Sequence, residues 1–175
     1  MTHPYSLILH DLEGALAQLP SDSVKFAASS IASHRRIFVY GAGRSGLMLR
    51  AFAMRLAQME YCVYVVGETI TPAIGPGDLL VLASASGRTQ SVCRYAQTAL
   101  DAGAELLILS AAQESPLAAI QKPDVLFPAP DKDSNASMQV MGSLFEQMLL
   151  LFGDAVAAAL PCDRQAMRSR HANLE

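Results

Sequence analysis

Apolar residues recur along this chain at two different periods. Over residues 5–33 they return every three to four positions, which predicts helices that pack by one apolar face. Pro20 divides this stretch into two helices, and Ser21 is the predicted cap of the second. Beyond it, short β-rich runs alternate with helical stretches. The predicted strands cover 36–40, 61–66, 78–83, 105–109 and 124–127, and the predicted helices cover 47–59, 89–102, a short segment from 115, and 139–159.

Strands that alternate with helices predict a parallel sheet with right-handed crossovers. Five strands favour the order 2-1-3-4-5 of a flavodoxin-like α/β three-layer sandwich. We expect residues 1–175 to form one domain, with a polar tail at 162–175. In that order the chain changes direction between strands 1 and 3, and ligands bind at such a switch point beside the carboxyl ends of the strands. The loops after strands 1 and 3 are therefore predicted to form the site.

Both loops are suited to binding an anion. Gly-Ala-Gly-Arg-Ser-Gly follows strand 1 over 41–46, and Ser-Ala-Ser-Gly-Arg-Thr follows strand 3 over 84–89. The second loop places three hydroxyls at a helix start, where backbone N–H groups are unpaired and Gly87 permits close approach. A simple helix cap at Ser86 or Thr89 would use one hydroxyl only. The loop over 84–89 therefore predicts a phosphate monoester site.

The first loop also permits a dinucleotide-binding interpretation. Residues 41–46 match G-x-G-x-x-G, and Glu68 lies about where that fold places its ribose-binding acid. The chain is short for six strands and a substrate domain, and this interpretation leaves 84–89 without a role. Arg44 also occupies a position of the motif that is usually small or apolar. We keep dinucleotide binding as the weaker alternative.

The amino-acid composition of the chain indicates which kinds of partner it can bind. Apolar residues make up 51% of the chain and charged residues 17%, so we expect a subunit interface to cover part of the apolar excess. The net charge is −3 and no basic run exceeds Arg35–Arg36, so no nucleic-acid surface is predicted. Cys62, Cys93 and Cys162 are odd in number and widely spaced, which favours reduced thiols in a cytoplasmic protein.

Neither a membrane segment nor a cofactor is expected. The first ten residues lack the pattern of a signal peptide, and the apolar run 148–160 is interrupted by Gly153 and Asp154 and is too short to span a bilayer. No set of His, Cys and Glu residues has the spacing of metal ligands, so neither a metal nor an organic cofactor is predicted.

Several segments together resemble the 6-phospho-3-hexuloisomerases, a family within the sugar isomerase (SIS) domain superfamily. The Ser-x-Ser-Gly-x-Thr loop is typical of the superfamily, and Gly-Glu-Thr at 67–69, Phe-Glu-Gln at 145–147 and the ending His-Ala-Asn-Leu-Glu at 171–175 are similar to the narrower family. The resemblance runs from about residue 5 to the end. The chain departs from the family at Ala85, where the family usually has glycine. This departure bears on the shape of the loop, because alanine restricts the backbone angle φ more than glycine does.

The resemblance implies conversion of 3-hexulose 6-phosphate into fructose 6-phosphate, in the ribulose monophosphate pathway of formaldehyde fixation. It also implies a homo-oligomer, commonly a tetramer. The reaction moves a carbonyl between C3 and C2, so one base that removes the C2 proton and returns it at C3 through a shared enediol is sufficient.

Two residues are candidates for catalysis. Glu146 interrupts an apolar helix near its beginning and lies in the Phe-Glu-Gln match, which makes it the candidate base. An exposed position, or an ion pair with an arginine across an interface, is the alternative. His171 is the candidate proton shuttle if the tail reaches a neighbouring active site, and a frayed terminus is its alternative.

The other predicted site residues bind substrate. Ser45 would bind sugar hydroxyls, and Arg44 would bind phosphate or stabilise the enediolate unless it forms an interface salt bridge. The predicted substrate-binding residues are Gly43, Arg44, Ser45, Ser84, Ala85, Ser86, Gly87, Arg88 and Thr89.

Two further functions stay open. One is another SIS sugar-phosphate isomerase, for example one acting on arabinose 5-phosphate, many of which carry an added nucleotide-binding module. The other is a non-catalytic sugar-phosphate sensor. Regulators of that kind add a DNA-binding helical domain, for which this chain has neither the length nor the basic charge.

Overall fold

A five-stranded, all-parallel sheet in the order β2-β1-β3-β4-β5 forms the centre of the molecule, as predicted. The structure is a computed structural model and describes residues 3–130, 132, 137 and 139–171. The strands are β1 (Arg36–Gly41), β2 (Val63–Val65), β3 (Asp78–Ser84), β4 (Glu105–Ser110) and β5 (Val125–Leu126). Gly41 pairs with Ala83, and Ser84 pairs with Ser110. Because the central strands end level with one another, the loops that follow them meet at one edge.

Seven α-helices surround the sheet in the described part of the chain. They are α1 (Pro4–Leu16), α2 (Ser23–Ser33), α3 (Gly43–Gln58), α4 (Gln90–Asp101), α5 (Pro116–Ile120), α6 (Ser143–Ala159) and α7 (Arg164–Ser169), with a 3₁₀ turn at Val140–Gly142 before α6. Local chemistry fixes several ends. The Ser115 hydroxyl accepts a hydrogen bond from Ala118 N–H at the start of α5, and Gly103 takes a φ of +79° just after α4, the usual position of a capping glycine.

The two faces of the sheet bury separate apolar cores. On one face, α3 and α6 pack against the strands, and α1 and α2 cover α6. Phe127 packs edge-on against Phe145 and Phe152 of α6, with ring centroids 5.4 Å apart in both pairs. On the other face, α4 and α5 pack against the sheet. β3 is buried along its whole length because it lies between both cores.

Helix α6 is long and mostly apolar. Among the described residues, the range Val140–Ala159 could span a membrane by its length and apolar composition. This range is longer than the apolar run 148–160 considered from the sequence. It packs against α1, α2 and α3. Leu144, Phe145, Met148 and Phe152 are buried there, which is the pattern of a core helix.

Some predicted boundaries are wrong. Helix α3 begins at Gly43 instead of residue 47, because Gly43 takes a φ of +57° and turns the chain directly from strand into helix. Arg44 and Ser45 therefore lie in the first helical turn. Strand β2 spans only Val63–Val65, and Asp22, not Ser21, occupies the capping position of α2.

Candidate active site

A cleft of about 480 Å³ opens beside the carboxyl ends of β1 and β3, at the predicted switch point. Its wall is formed by the turns after four strands and by the start of α6. The lining residues are Ala42, Gly43, Arg44, Ser45, Ala83, Ser84, Ala85, Ser86, Arg88, Thr89, Ala111, Ala112, Ala129, Pro130, Lys132, Met141, Gly142 and Glu146. Most of the predicted site residues are in this set. Gly87 and His171 are not.

The glycines after β1 bring strand and helix together. A Cβ on Gly46 would lie 2.2 Å from the carbonyl oxygen of Gly41, so the first turn of α3 can sit against the strand end only if residue 46 is glycine. The G-x-G-x-x-G pattern is thus explained by packing within the chain. Glu68, the other element of the dinucleotide alternative, accepts a hydrogen bond of 2.7 Å from Arg50 and lies outside the cleft lining.

Hydrogen bonds within the loop over 84–89 fix its shape. The Ser84 hydroxyl oxygen accepts from Gly87 N–H at 3.2 Å, and the Ser86 hydroxyl oxygen accepts from Arg88 N–H at 3.3 Å. Gly87 takes a φ of +59°, and a Cβ on it would lie 2.2 Å from the hydroxyl oxygen of Ser115. Gly87 therefore shapes the loop, although its own atoms do not line the cleft.

The hydroxyl groups of the loop over 84–89 can still donate hydrogen bonds to a ligand. Thr89 occupies the capping position of α4, yet its side chain makes no capping hydrogen bond. Ser84 and Ser86 act as acceptors within the loop, which leaves their own O–H groups able to donate. Capping alone therefore does not account for these hydroxyls. Ala85 is not among the residues with positive φ, so the loop tolerates alanine at this position.

Glu146 and Arg44 meet in the cleft from two different helices. Glu146 lies in the first turn of α6 with its side chain 14% exposed, and its Oε2 accepts a hydrogen bond from Arg44 Nε. Arg44, in the first turn of α3, is 61% exposed. The arginine partner of Glu146 thus comes from the same chain, and the pair orients the carboxylate at the cleft wall.

Sequence reasoning missed Lys132 and Met141. Both line the cleft, and Met141 takes a φ of +57° directly before Gly142 at +77°. Two successive left-handed residues turn the chain sharply into α6. The available signal was position: residues 128–138 lie between the predicted fifth strand and the predicted helix over 139–159, and Lys132 is the one basic residue of that stretch. Residues 131, 133–136 and 138 lie outside the described residues.

His171 lies apart from the cleft of its own chain. It follows α7, where Arg170 donates to the carbonyl oxygen of Gln58 at 3.2 Å and pairs with Glu60. These partners lie at the carboxyl-terminal end of α3, whereas the cleft lies at its amino-terminal end. Helix α3 has 16 residues and is therefore about 24 Å long. The predicted role of His171 therefore requires the cleft of another chain. Residues 172–175 lie outside the described residues.

In the described part of the chain, no group of three or more His, Cys, Asp or Glu side chains is placed to hold a metal ion. The groups that the described residues of the cleft offer a ligand are hydroxyls, backbone N–H groups, one carboxylate and three cationic side chains.

Comparison with known proteins identifies the family of this chain. Residues 30–152 match the SIS domain family. The chain is 41% identical to the 3-hexulose-6-phosphate isomerase of Mycobacterium gastri, over 100% of this chain and 92% of that protein. The chain belongs to the SIS domain family and, within it, to the family of these isomerases. A second relative, the 3-hexulose-6-phosphate isomerase of Bacillus subtilis, is 40% identical over 96% of this chain and 95% of its own length.

Solved structures agree with the fold. A hypothetical protein from Methanococcus jannaschii, for which the molecular function of a 3-hexulose-6-phosphate isomerase was inferred from its crystal structure, superposes on this SIS domain with a TM-score of 0.81. The two chains are 28% identical, and the match covers 98% of each. The SIS match over residues 30–152 includes the loop over 84–89 and Glu146, and it ends before His171.

Proposed function

We propose that this protein interconverts 3-hexulose 6-phosphate and fructose 6-phosphate through a C2–C3 enediol. The observation that carries the proposal is that one cleft contains both an anion-binding loop at 84–89 and the carboxylate of Glu146. Its relatives named 3-hexulose-6-phosphate isomerase align over nearly the whole chain and support the same substrate.

The loop over 84–89 would bind the phosphate group. The hydroxyls of Ser84, Ser86 and Thr89 and the unpaired N–H groups at the start of α4 supply donors, and Arg88 lines the same side of the cleft. With the phosphate held there, the sugar chain extends toward the start of α6, where Glu146 lies.

Glu146 would act as the general base. Its carboxylate removes the proton from C2 of the hexulose and returns it to C3, so that the carbonyl moves to C2. Arg44 would orient the carboxylate by its hydrogen bond to Oε2, and Ser45, which lines the cleft, would bind a sugar hydroxyl. A hexulose with its ketone at C3 and phosphate on O6 cannot close a five-membered ring through O6, so the conversion of 3-hexulose 6-phosphate needs no ring-opening group.

We also propose a homo-oligomer, with a tetramer as the expected form, in which the tail brings His171 to a neighbouring cleft. Large apolar side chains remain exposed on this chain, among them Leu47 and Met54 on α3 and Ile70 after β2, which is 80% exposed. An interface between copies would cover them.

We also propose that the enzyme acts in the cytoplasm, in the ribulose monophosphate pathway.

The experiment that tests the function is a proton NMR time course of the purified protein with fructose 6-phosphate in D₂O. Loss of the C3 proton signal is expected, because the reverse reaction removes that proton to form the C2–C3 enediol. Exchange at C1 would instead indicate an aldose–ketose isomerase. Binding without exchange would indicate a sugar-phosphate sensor and contradict the proposal.

Ser86→Ala is expected to weaken binding of fructose 6-phosphate about tenfold while leaving the much weaker binding of unphosphorylated fructose unchanged, because a donor to a charged phosphate is lost. Isothermal titration of both sugars measures the difference. The matched control is Ser33→Ala on α2, whose hydroxyl donates to Ser30 far from the cleft. Equal losses for both sugars would show that Ser86 does not bind phosphate.

A further inference from the structure

We propose that Lys132 is a further catalytic residue, whose ammonium group stabilises the oxygen that becomes negatively charged as the enediol forms. This inference rests on the proposed isomerase function and adds to it a group that stabilises the developing negative charge. It follows from the position of Lys132, from the charges around the cleft and from the contacts of described residues on either side of it.

The position of Lys132 is beside the helix that carries the candidate base. Lys132 lines the cleft, and an ideal Cβ on Gly142 would lie 3.6 Å from the Cβ of Lys132. Gly142 is the residue before α6, and Glu146 lies in the first turn of that helix. Lys132 is therefore next to the end of the cleft where the carbon chain would be deprotonated.

The charges in the cleft leave Lys132 available for this role. Among the described residues, three cationic side chains line the cleft: Arg44, Arg88 and Lys132. Arg44 is paired with Glu146, and Arg88 belongs to the phosphate-binding loop. Neither Arg88 nor Lys132 forms an ion pair with another described residue. Of the described cations in the cleft, the one that remains for an enediolate oxygen is thus Lys132.

Described residues on both sides of Lys132 have defined hydrogen bonds. On the amino-terminal side, Ala129 N–H donates to the carbonyl oxygen of Phe127 at 2.8 Å. On the carboxyl-terminal side, the Ser137 hydroxyl donates to Asp11 of α1 at 2.6 Å and accepts from Gln139 N–H at 3.0 Å. Asp11 thus binds Ser137, five residues after Lys132, from a distant part of the sequence.

The proposed step balances without any added reactant. Glu146 takes the proton from C2, the electron pair of that C–H bond forms the C2–C3 double bond, and the carbonyl electrons move to O3. The Lys132 ammonium donates a hydrogen bond, and then its proton, to O3. The resulting amine recovers a proton from the O2 hydroxyl, while Glu146 returns its proton to C3. A preorganised donor to a developing oxyanion contributes about 10²- to 10³-fold to a rate.

The test compares Lys132→Met with the wild type in three measurements: kcat, the KM for fructose 6-phosphate, and the rate of C3–H exchange in D₂O. We expect kcat and the exchange rate to fall about 100- to 1,000-fold. The KM and the dissociation constant of inorganic phosphate should stay within about threefold. Lys132→Arg, which keeps a cation at this position, should recover at least tenfold in kcat.

The matched control is Lys122→Met, which removes a lysine paired with Glu114 on the surface away from the cleft and should leave all three values unchanged. A kcat of Lys132→Met within tenfold of wild type would overturn the proposal. A loss confined to phosphate affinity would overturn it too, since Lys132 would then be a phosphate ligand. A wild type that binds fructose 6-phosphate but exchanges no proton would instead refute the isomerase function, and the proposed role of Lys132 with it.

Discussion

Glu146→Gln should lower the rate of C3–H exchange of fructose 6-phosphate by about a thousandfold, within the range of general-base catalysis. An amide oxygen can still accept the hydrogen bond from Arg44, so the cleft keeps its shape, but the amide cannot accept a proton from carbon. Proton NMR in D₂O measures the exchange, and titration with fructose 6-phosphate measures binding. Binding should be retained, because the substitution removes a negative charge from a cleft that receives a phosphate dianion.

Glu114→Gln provides the control for this charge change. Glu114 is an exposed glutamate that pairs with Lys122, and its substitution should leave exchange and binding unchanged. If Glu146→Gln kept exchange within tenfold of wild type, Glu146 would not be the base, and the ion pair with Arg44 would have to be assigned a positioning role.

The sheet order and the position of the cleft were predictable because they depend on local patterns. Each strand is a short apolar run, and the alternation with helices permits few topologies. The boundaries were less predictable where one residue changes the path of the chain. Gly43 starts α3 immediately after β1, and periodicity alone does not reveal that turn.

The candidate site was predictable where one loop contains it and unpredictable where distant segments meet. The loop over 84–89 carries its hydroxyls and Gly87 within six residues, so its chemistry is visible in the sequence. The pair of Arg44 and Glu146 joins residues 102 positions apart, and the anchor between Asp11 and Ser137 joins residues 126 apart. Such pairings depend on how helices pack against the sheet, which residue types do not specify.

Asp78→Asn should lower the melting temperature at pH 7 by roughly 5 to 10 °C, because it breaks a buried, charge-assisted pair. The side chain of Asp78, at the start of β3, is fully buried. Its carboxylate accepts from Arg36 Nε at 2.8 Å and from Gly75 N–H at 2.8 Å. Arg35→Gln is the control. Arg35 approaches the same carboxylate at 3.5 Å but is 69% exposed, so its loss should lower the melting temperature only slightly.

The same carboxylate predicts a dependence of stability on pH. The hydrogen bonds from Arg36 hold the pKa of Asp78 below its ordinary value of about 3.9. Since the folded state binds the proton less readily than the unfolded chain, this contribution to stability is complete above pH 4 to 5 and is lost as the pH falls through the folded pKa. From pH 7 down to pH 3, the difference in melting temperature between the wild type and Asp78→Asn should therefore stay constant to about pH 5 and narrow as the pH falls further. A constant difference over that range would show that the lost stability comes from packing and not from the charge of Asp78.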